Sequence, residues 1–380
     1  MSFLTEDQRS IQQLAHDFAQ SAVKDKARAA EADPAEMMQL WRQLADMGLA
    51  GLAFPETYGG AGADYLSYCC LIEELARVSA SLAVMLSVHT TVGILPIFDF
   101  GNDAQKNRFL PDLLSGKHIA AFGLTEPDAG SDAGSGDTRA VPNEKGDAYR
   151  LSGSKIFITN ALTAQIFVVT ARSENTPGNK GLSAFIVPRD TTGFSVEKGD
   201  AKLGIVGSDW GTLVFDQAEV PAENRLGGAG DGFKIFMNSL NSGRVSIGAM
   251  AVGIAQGALD EATKYAKQRQ QFGQPIANFQ AIQFKLADMA TEIAAARHLV
   301  YHAARLKDAG QPFLSEGSMA KLYASQAAWR ATNEAMQIHG GYGYTTDFAI
   351  ERYWRDARCL EIVEGTSEIQ RLVIARQLLS

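Results

Sequence analysis

The sequence predicts an α+β multidomain chain: an N-terminal helical domain over residues 1–118, a middle antiparallel β-sheet or barrel domain over 119–225, and a C-terminal four-helix bundle over 226–380. Three observations carry this. Apolar residues recur at helical spacing at both ends of the chain. Between them the texture changes to short alternating or apolar runs separated by Gly, Pro and Asn turns. No helical segment of the length a crossover needs separates those runs, which favours antiparallel pairing over a parallel sheet. At 380 residues the chain is long enough to bury several cores.

In the first section, Thr5-Glu6-Asp7-Gln8 is a capping-box pattern. Asp33-Pro34-Ala35-Glu36 supplies an N-cap, a proline at the first helical position and an acid in the first turn. The helix behind it is expected to bury Met37, Leu40, Trp41, Leu44 and Met47 on one stripe and to stop at Gly48. Segments 66–76, 82–100 and 104–114 continue the helical pattern. The middle section offers strands at 119–124, 149–158, 166–171, 183–187, 194–197 and 212–215, with turns at Asn143-Glu144-Lys145-Gly146, Thr176-Pro177-Gly178-Asn179 and Asp190-Thr191-Thr192-Gly193. Long Ala-rich helices then return over 230–268, 278–308, 314–339 and 365–379, a pattern that suits a bundle able to pair between subunits.

The formal net charge is −8 and no lysine or arginine run is present, which argues against nucleic acid or an anionic membrane as partner. The opening Met1-Ser2-Phe3-Leu4-Thr5-Glu6-Asp7 has neither a basic nor an apolar stretch, so no signal peptide is expected and a cytoplasmic location is. No window is expected to reach the roughly 18 apolar residues that a membrane span requires. Cys69, Cys70 and Cys359 are too few for a disulfide framework, and the vicinal pair falls in an expected buried helix.

The most informative stretch is Ile362-Val363-Glu364-Gly365-Thr366-Ser367-Glu368-Ile369-Gln370-Arg371, which follows Gln337-Ile338-His339-Gly340-Gly341-Tyr342-Gly343. It sets a carboxylate beside a glycine ahead of a helix. Gly365 permits a positive φ or a close approach to a ligand. Thr366 is the expected N-cap, with Ile369, Leu372, Val373 and Arg376 at helical spacing behind it. Glu364 would then lie just outside a helix N-terminus, where the macrodipole favours its anion. Taken alone, a solvated or capping glutamate is the simpler reading.

Other motifs are weaker singly. Gly227-Gly228-Ala229-Gly230-Asp231-Gly232 lacks the Lys-Ser/Thr of a phosphate loop and reads as a hinge. His298 and His302 are one helical turn apart, without a glutamate between them or a third ligand, so no metal site is expected. The loop Thr125-Glu126-Pro127-Asp128-Ala129-Gly130-Ser131-Asp132 is dense in hydroxyls and turn formers. Phe157-Ile158-Thr159-Asn160 offers an aromatic to stack on a planar ring and a hydroxyl for its edge. Arg269-Gln270-Gln271-Phe272-Gly273-Gln274-Pro275-Ile276 adds a cation able to pair with phosphate.

In this order, together with Phe54-Pro55-Glu56-Thr57-Tyr58-Gly59-Gly60, these segments resemble the acyl-CoA dehydrogenase family along nearly the whole chain, closest in look to its short-chain, butyryl-CoA members. The resemblance implies an FAD flavoenzyme of fatty-acid β-oxidation that converts an acyl-CoA thioester to trans-2-enoyl-CoA. Glu364 matches the base that takes the α-proton, flavin N5 the acceptor of the β-hydride, and electron-transferring flavoprotein the electron acceptor. One branch of the family carries its base just before an arginine in the first long C-terminal helix; here that position is Gly243, before Arg244. Short or short-branched acyl groups are favoured. Medium-chain, long-chain or aryl-acyl substrates, or a non-dehydrogenase flavoprotein of the same fold, are the alternatives.

By motif position, the implied FAD contacts are Phe122, Leu124, Thr125 and Ser131, then Phe157 and Thr159 at the ring, with Thr366 and Glu368 near the flavin. Arg269, Phe272, Gln280, Gln337 and Gly341 would come from a neighbouring subunit to the adenosine and pyrophosphate, implying a homo-oligomer, expected to be a tetramer. Ser131, Asn241, Arg244, Gly365 and Arg376 match substrate contacts. The chain departs from the family at Asn241, where many relatives have an aspartate, at Val206, which replaces a basic residue, and at Trp210, which replaces a small one.

Overall fold

The computed structural model describes residues 4–380, so Met1-Ser2-Phe3 lies outside the described residues. Helix α1 (Glu6–Phe18) starts at the expected capping box: Gln8 N donates to Thr5 Oγ1 at 3.2 Å and Thr5 N to Gln8 Oε1 at 2.9 Å. After α2 (Ala27–Ala32), α3 (Pro34–Asp46) is capped by Asp33, whose carboxylate accepts from Ala35 N at 2.8 Å. Met37, Leu40, Trp41 and Leu44 are buried as expected. Met47 is not, because the helix has ended by then and the side chain leaves the stripe, 39% exposed.

Helices α4 (Tyr65–Ala76), α5 (Ala80–Val88), α6 (Leu95–Phe100) and α7 (Asp103–Leu114) complete this section, with a π-helical stretch over His89–Ile94. Here one expectation is corrected. The continuous run Ala80–Phe100 is long and apolar enough to cross a membrane by composition, and it is packed inside the protein. Cys69 and Cys70 are buried free thiols on α4.

The middle strands are β1 (Ala120–Gly123), β2 (Arg139–Pro142), β3 (Ala148–Thr159), β4 (Ile166–Arg172), β5 (Leu182–Pro188), β6 (Phe194–Lys198), β7 (Trp210–Pro221) and β8 (Arg225–Leu226). They form one sheet in the order β6-β7-β3-β2-β4-β5-β8, with β1 beside β4. Sequential hairpins are antiparallel as expected. β1 and β2, however, lie parallel to β4, because the chain reaches β4 only after passing through β3 on the far side of β2. β2 and β8 escape the sequence pattern because they are four and two residues long.

The last section is α8 (Gly232–Gln268), a small hairpin β9 (Gln270–Gln271) and β10 (Gln274–Pro275), α9 (Gln280–Asp308), α10 (Leu314–His339), α11 (Ile350–Cys359) and α12 (Ser367–Leu379). α11 is additional to the four helices expected; its sequence is so rich in charge that the buried Ile350, Tyr353 and Ala357 are hard to read as a stripe. α8 spans about 55 Å and packs on α4 and α5 of the first section and on α9 and α10 of the last. The approach to α4 is close enough that a β-carbon on Gly253 would stand 2.2 Å from the Glu73 carbonyl oxygen.

Candidate active site

Glu364 occupies a left-handed turn with φ 53°, followed by Gly365 at φ 95°. Such a backbone is strained for a side-chain-bearing residue and needs its surroundings to hold it. They do so from three sides. Thr366 caps α12, accepting from Ile369 N at 3.4 Å. Gln370 reaches back from the first turn of α12, its Nε2 donating to the Glu364 carbonyl at 3.2 Å and the Gly365 carbonyl at 2.9 Å. Lys321 on α10 donates its Nζ to the same Gly365 carbonyl at 2.9 Å.

The turn directs the Glu364 side chain onto α8 at Gly243, where a β-carbon would lie 1.9 Å from Glu364 Oε2. Glu364 as a residue is half-buried, yet both carboxylate oxygens are sealed from solvent and without a hydrogen-bond partner. Burial pushes its carboxyl up to about 7, with Arg244 and Lys321 pulling the other way. This reverses the helix-terminus expectation: desolvation of a buried carboxylate outweighs a macrodipole at the end of α12. Glu368, exposed in the first turn of α12, is the residue whose carboxyl is lowered, chiefly by a backbone hydrogen bond and then by the Thr366 hydroxyl.

Around this carboxylate, Arg244 is 4% exposed and donates from Nη1 to Asn241 Oδ1 at 3.0 Å, while its Nε has no partner. Tyr65 from α4 donates its hydroxyl to the Ser242 carbonyl at 2.6 Å, one residue before Gly243. Arg376 is exposed further along α12.

The residues expected on the middle domain gather on β1, its following loop and the end of β3. Phe122 stacks on Phe236 of α8 with ring centroids 4.1 Å apart, and Leu124 packs in the same apolar cluster. Ile156 N donates to the Thr125 carbonyl at 2.9 Å. Ser131 is exposed at the loop's far end. The loop is held from beneath by a pair that the sequence reading missed. Lys155, with no exposed surface, donates to Glu126 Oε1 at 2.5 Å, Thr170 Oγ1 at 3.0 Å and the Leu124 carbonyl at 3.4 Å. Glu126 also accepts from the amides of Asp137 at 2.6 Å and Thr138 at 3.1 Å. A lysine at an inward position of an alternating strand was the available signal.

At the end of β3, Phe157 has φ 59° and is 59% exposed, with Thr159 half-buried beside it. Trp210 backs the Phe157 ring at 5.1 Å, which gives one of the departures from the family pattern a structural role. Asn160, at φ 64°, ties the turn to the N-terminal helices through Nδ2, which donates to the Met85 carbonyl at 3.0 Å. Asn241 and Val206 have no such account beyond the Arg244 contact of the first and the partial exposure of the second.

Arg269, Phe272 and Gly341 meet elsewhere, around a cavity of about 630 Å³. Arg269 lies over the Tyr342 ring at 5.7 Å, and a β-carbon on Gly341 would touch nothing within 4 Å, so the floor is open. Gln280 and Gln337 are exposed next in sequence to the lining residues Phe279 and Ile338. Neither Glu364 nor any of the middle-domain residues lines this cavity. A cation, aromatic rings and exposed glycine backbone fit the diphosphate and adenine ends of a dinucleotide. Among the described residues, six non-glycine residues have positive φ, and four of them, Phe157, Asn160, Phe272 and Glu364, lie in these site segments.

The N-terminal, middle and C-terminal domain models of the acyl-CoA dehydrogenases match residues 5–117, 121–218 and 230–379, and the chain belongs to that family. It is 51% identical to an acyl-CoA dehydrogenase of Bacillus subtilis over 99% of each chain. It is 45% identical to the butyryl-CoA dehydrogenase of Megasphaera elsdenii, with a TM-score of 0.96 and full coverage of both chains. A chain in the structure of the electron transferring flavoprotein of Acidaminococcus fermentans superposes with a TM-score of 0.95 at 46% identity, covering both chains in full. Enzymes of the family depend on FAD.

Proposed function

We propose that the enzyme oxidises a short-chain or short-branched acyl-CoA to its trans-2-enoyl-CoA, with Glu364 as the base, and passes the electrons to an electron-transferring flavoprotein. The observation that carries the reading is the sealed, unpartnered carboxylate of Glu364 against Gly243, poised near neutrality. A carboxylate near its ordinary value is a feeble base for a carbon acid; one held near pH 7 is matched to proton abstraction at working pH. In the reaction, a Glu364 oxygen takes the proton from the α-carbon. The electron pair of that C–H bond becomes the α,β double bond as hydrogen leaves the β-carbon with its own pair. FAD, when bound, supplies the acceptor for that hydride.

Phe122, Leu124, Thr125, Ser131, Phe157 and Thr159 would hold the flavin end, with Thr366 and Glu368 beside it. Arg269, Phe272, Gln280, Gln337 and Gly341 would hold the adenosine diphosphate of a cofactor bound mainly by a second subunit. The separation of the two groups within one chain supports a shared site and hence a homo-oligomer, which we take to be a tetramer. Exposed Phe272, Tyr344 and Leu379 provide apolar surface for it. Ser131, Asn241, Arg244, Gly365 and Arg376 would meet the acyl-CoA. The short-chain preference is supported by the likeness to butyryl-CoA dehydrogenase, and the acceptor by the electron-transferring flavoprotein structure. Replacing Glu364→Gln should keep FAD and acyl-CoA binding while lowering turnover by several orders of magnitude. A variant with near-normal rate would remove Glu364 from this role.

A further inference from the structure

We propose that Lys321 is a positioning residue for this reaction: its buried ammonium holds the Glu364–Gly365 turn by the Gly365 carbonyl and provides the positive charge that lets Glu364 serve as an anion at neutral pH. This deepens, and rests on, the reading of Glu364 as the base.

Lys321 has no exposed surface. Its neighbours one turn away on α10 are Gly317, Ser318, Ala324 and Ser325, all small and all buried. An apolar side chain would serve that packing. Taking an ammonium out of water costs several kcal/mol, so a lysine here requires a partner that an apolar residue would not supply. The geometry names it. Nζ reaches the Gly365 carbonyl at 2.9 Å, the same oxygen that Gln370 Nε2 contacts at 2.9 Å. Two donors from two helices thus converge on the one carbonyl that follows the left-handed Glu364.

The charge acts on Glu364 through space, since neither carboxylate oxygen has a hydrogen-bond partner. The other groups facing this pocket are few. α8 contributes Arg244, whose Nη1 is engaged by Asn241. α4 contributes Tyr65, a phenol that burial keeps neutral. The end of α11 and the turn after it contribute Cys359, a thiol that burial pushes up to about 11, and Glu361, which is paired with Arg358. Burial lowers the Lys321 ammonium to about 8, with Glu364 and Glu361 acting to keep it charged. Each charge therefore favours the other: Lys321 helps to keep Glu364 ionised, and Glu364 helps to keep Lys321 protonated.

The test uses the FAD-loaded enzyme with butyryl-CoA and three variants. Lys321→Met removes charge and hydrogen bond, Lys321→Gln keeps a donor without charge, and Lys321→Arg keeps both. The pH at which kcat/KM reaches half its plateau should rise by about one unit in Lys321→Met and Lys321→Gln. At pH 6 that is about a tenfold loss that disappears at high pH. Lys321→Arg should restore the wild-type midpoint. A second readout needs no turnover: the pH at which the stability gap between each background and its own Glu364→Gln partner stops widening should move up by the same amount. Unchanged midpoints, with a loss equal at every pH, would reduce Lys321 to a structural residue and overturn the proposal. If no variant and no wild-type enzyme turns over, the assigned reaction fails, and the stability comparison still decides the coupling of Lys321 to Glu364.

Discussion

Gly243 and Glu364 stand so close that the carboxylate occupies the space a β-carbon on Gly243 would need, with Oε2 at 1.9 Å from that position. The contact joins residues far apart in sequence and sets the direction of the base from the backbone of α8. In the family branch that carries its base at the Gly243 position, both groups could not sit as Glu364 does here. Gly243→Ala should therefore displace the carboxylate, because its oxygens are the near atoms and the helix backbone cannot yield as readily. A shift of about 1 Å in a reacting group can cost on the order of 100-fold in rate. kcat for an acyl-CoA should fall by about that factor with FAD content unchanged. A rate within twofold of wild type would show that the carboxylate can reach its substrate from elsewhere.

The raised carboxyl of Glu364 has a consequence for stability. The folded protein binds this proton up to about pH 7, whereas the unfolded chain releases it near 4.5. The contribution is therefore fully present below about pH 4.5 and is lost as pH rises through 7. Glu364→Gln, which cannot ionise, should be more stable than wild type at pH 8 by about 3 kcal/mol and nearly indistinguishable at about pH 4. Thermal unfolding of both proteins across that range checks it, and parallel curves would contradict it.

The Glu126–Lys155 pair anchors the loop that carries Thr125 and Ser131. Lys155→Met should cost about 3 to 5 kcal/mol, because it strands the Glu126 carboxylate in a buried site. Adding Glu126→Gln should recover part of that loss, since the amide oxygen still accepts from Asp137 N and Thr138 N without a charge. Urea unfolding of the two single variants and the double variant measures the coupling; additive losses would mean that the two residues act independently.

Much of the fold was legible because its signals are local. Thr5 with Gln8, Asp33 with Pro34, and Thr366 ahead of α12 are caps that short-range hydrogen bonds decide, and the structure has each of them. The parallel placement of β1 against β4 was not legible, because strand pairing across a long excursion leaves no local mark. Met47 left its stripe because the helix ended one residue earlier than the periodicity implied. At the site, the Glu364-Gly365-Thr366 motif marked the turn and the cap, but its electrostatics came out reversed. The helix terminus is visible in sequence, whereas the burial that overrides it depends on Gly243, Arg244 and Lys321, which lie on other helices. Lys155 and Lys321 were missed for the same reason: a lysine reads as exposed unless its partners are known.

The most direct test is anaerobic titration of the purified enzyme with acyl-CoA thioesters from C4 to C16, including branched C4 and C5 members, while the visible spectrum is recorded. Bleaching of the oxidised-flavin band by butyryl-CoA or a short branched thioester, and more weakly by longer ones, is the predicted result. A flavin that stays oxidised with every thioester would contradict the proposed reaction and leave only the fold and its family.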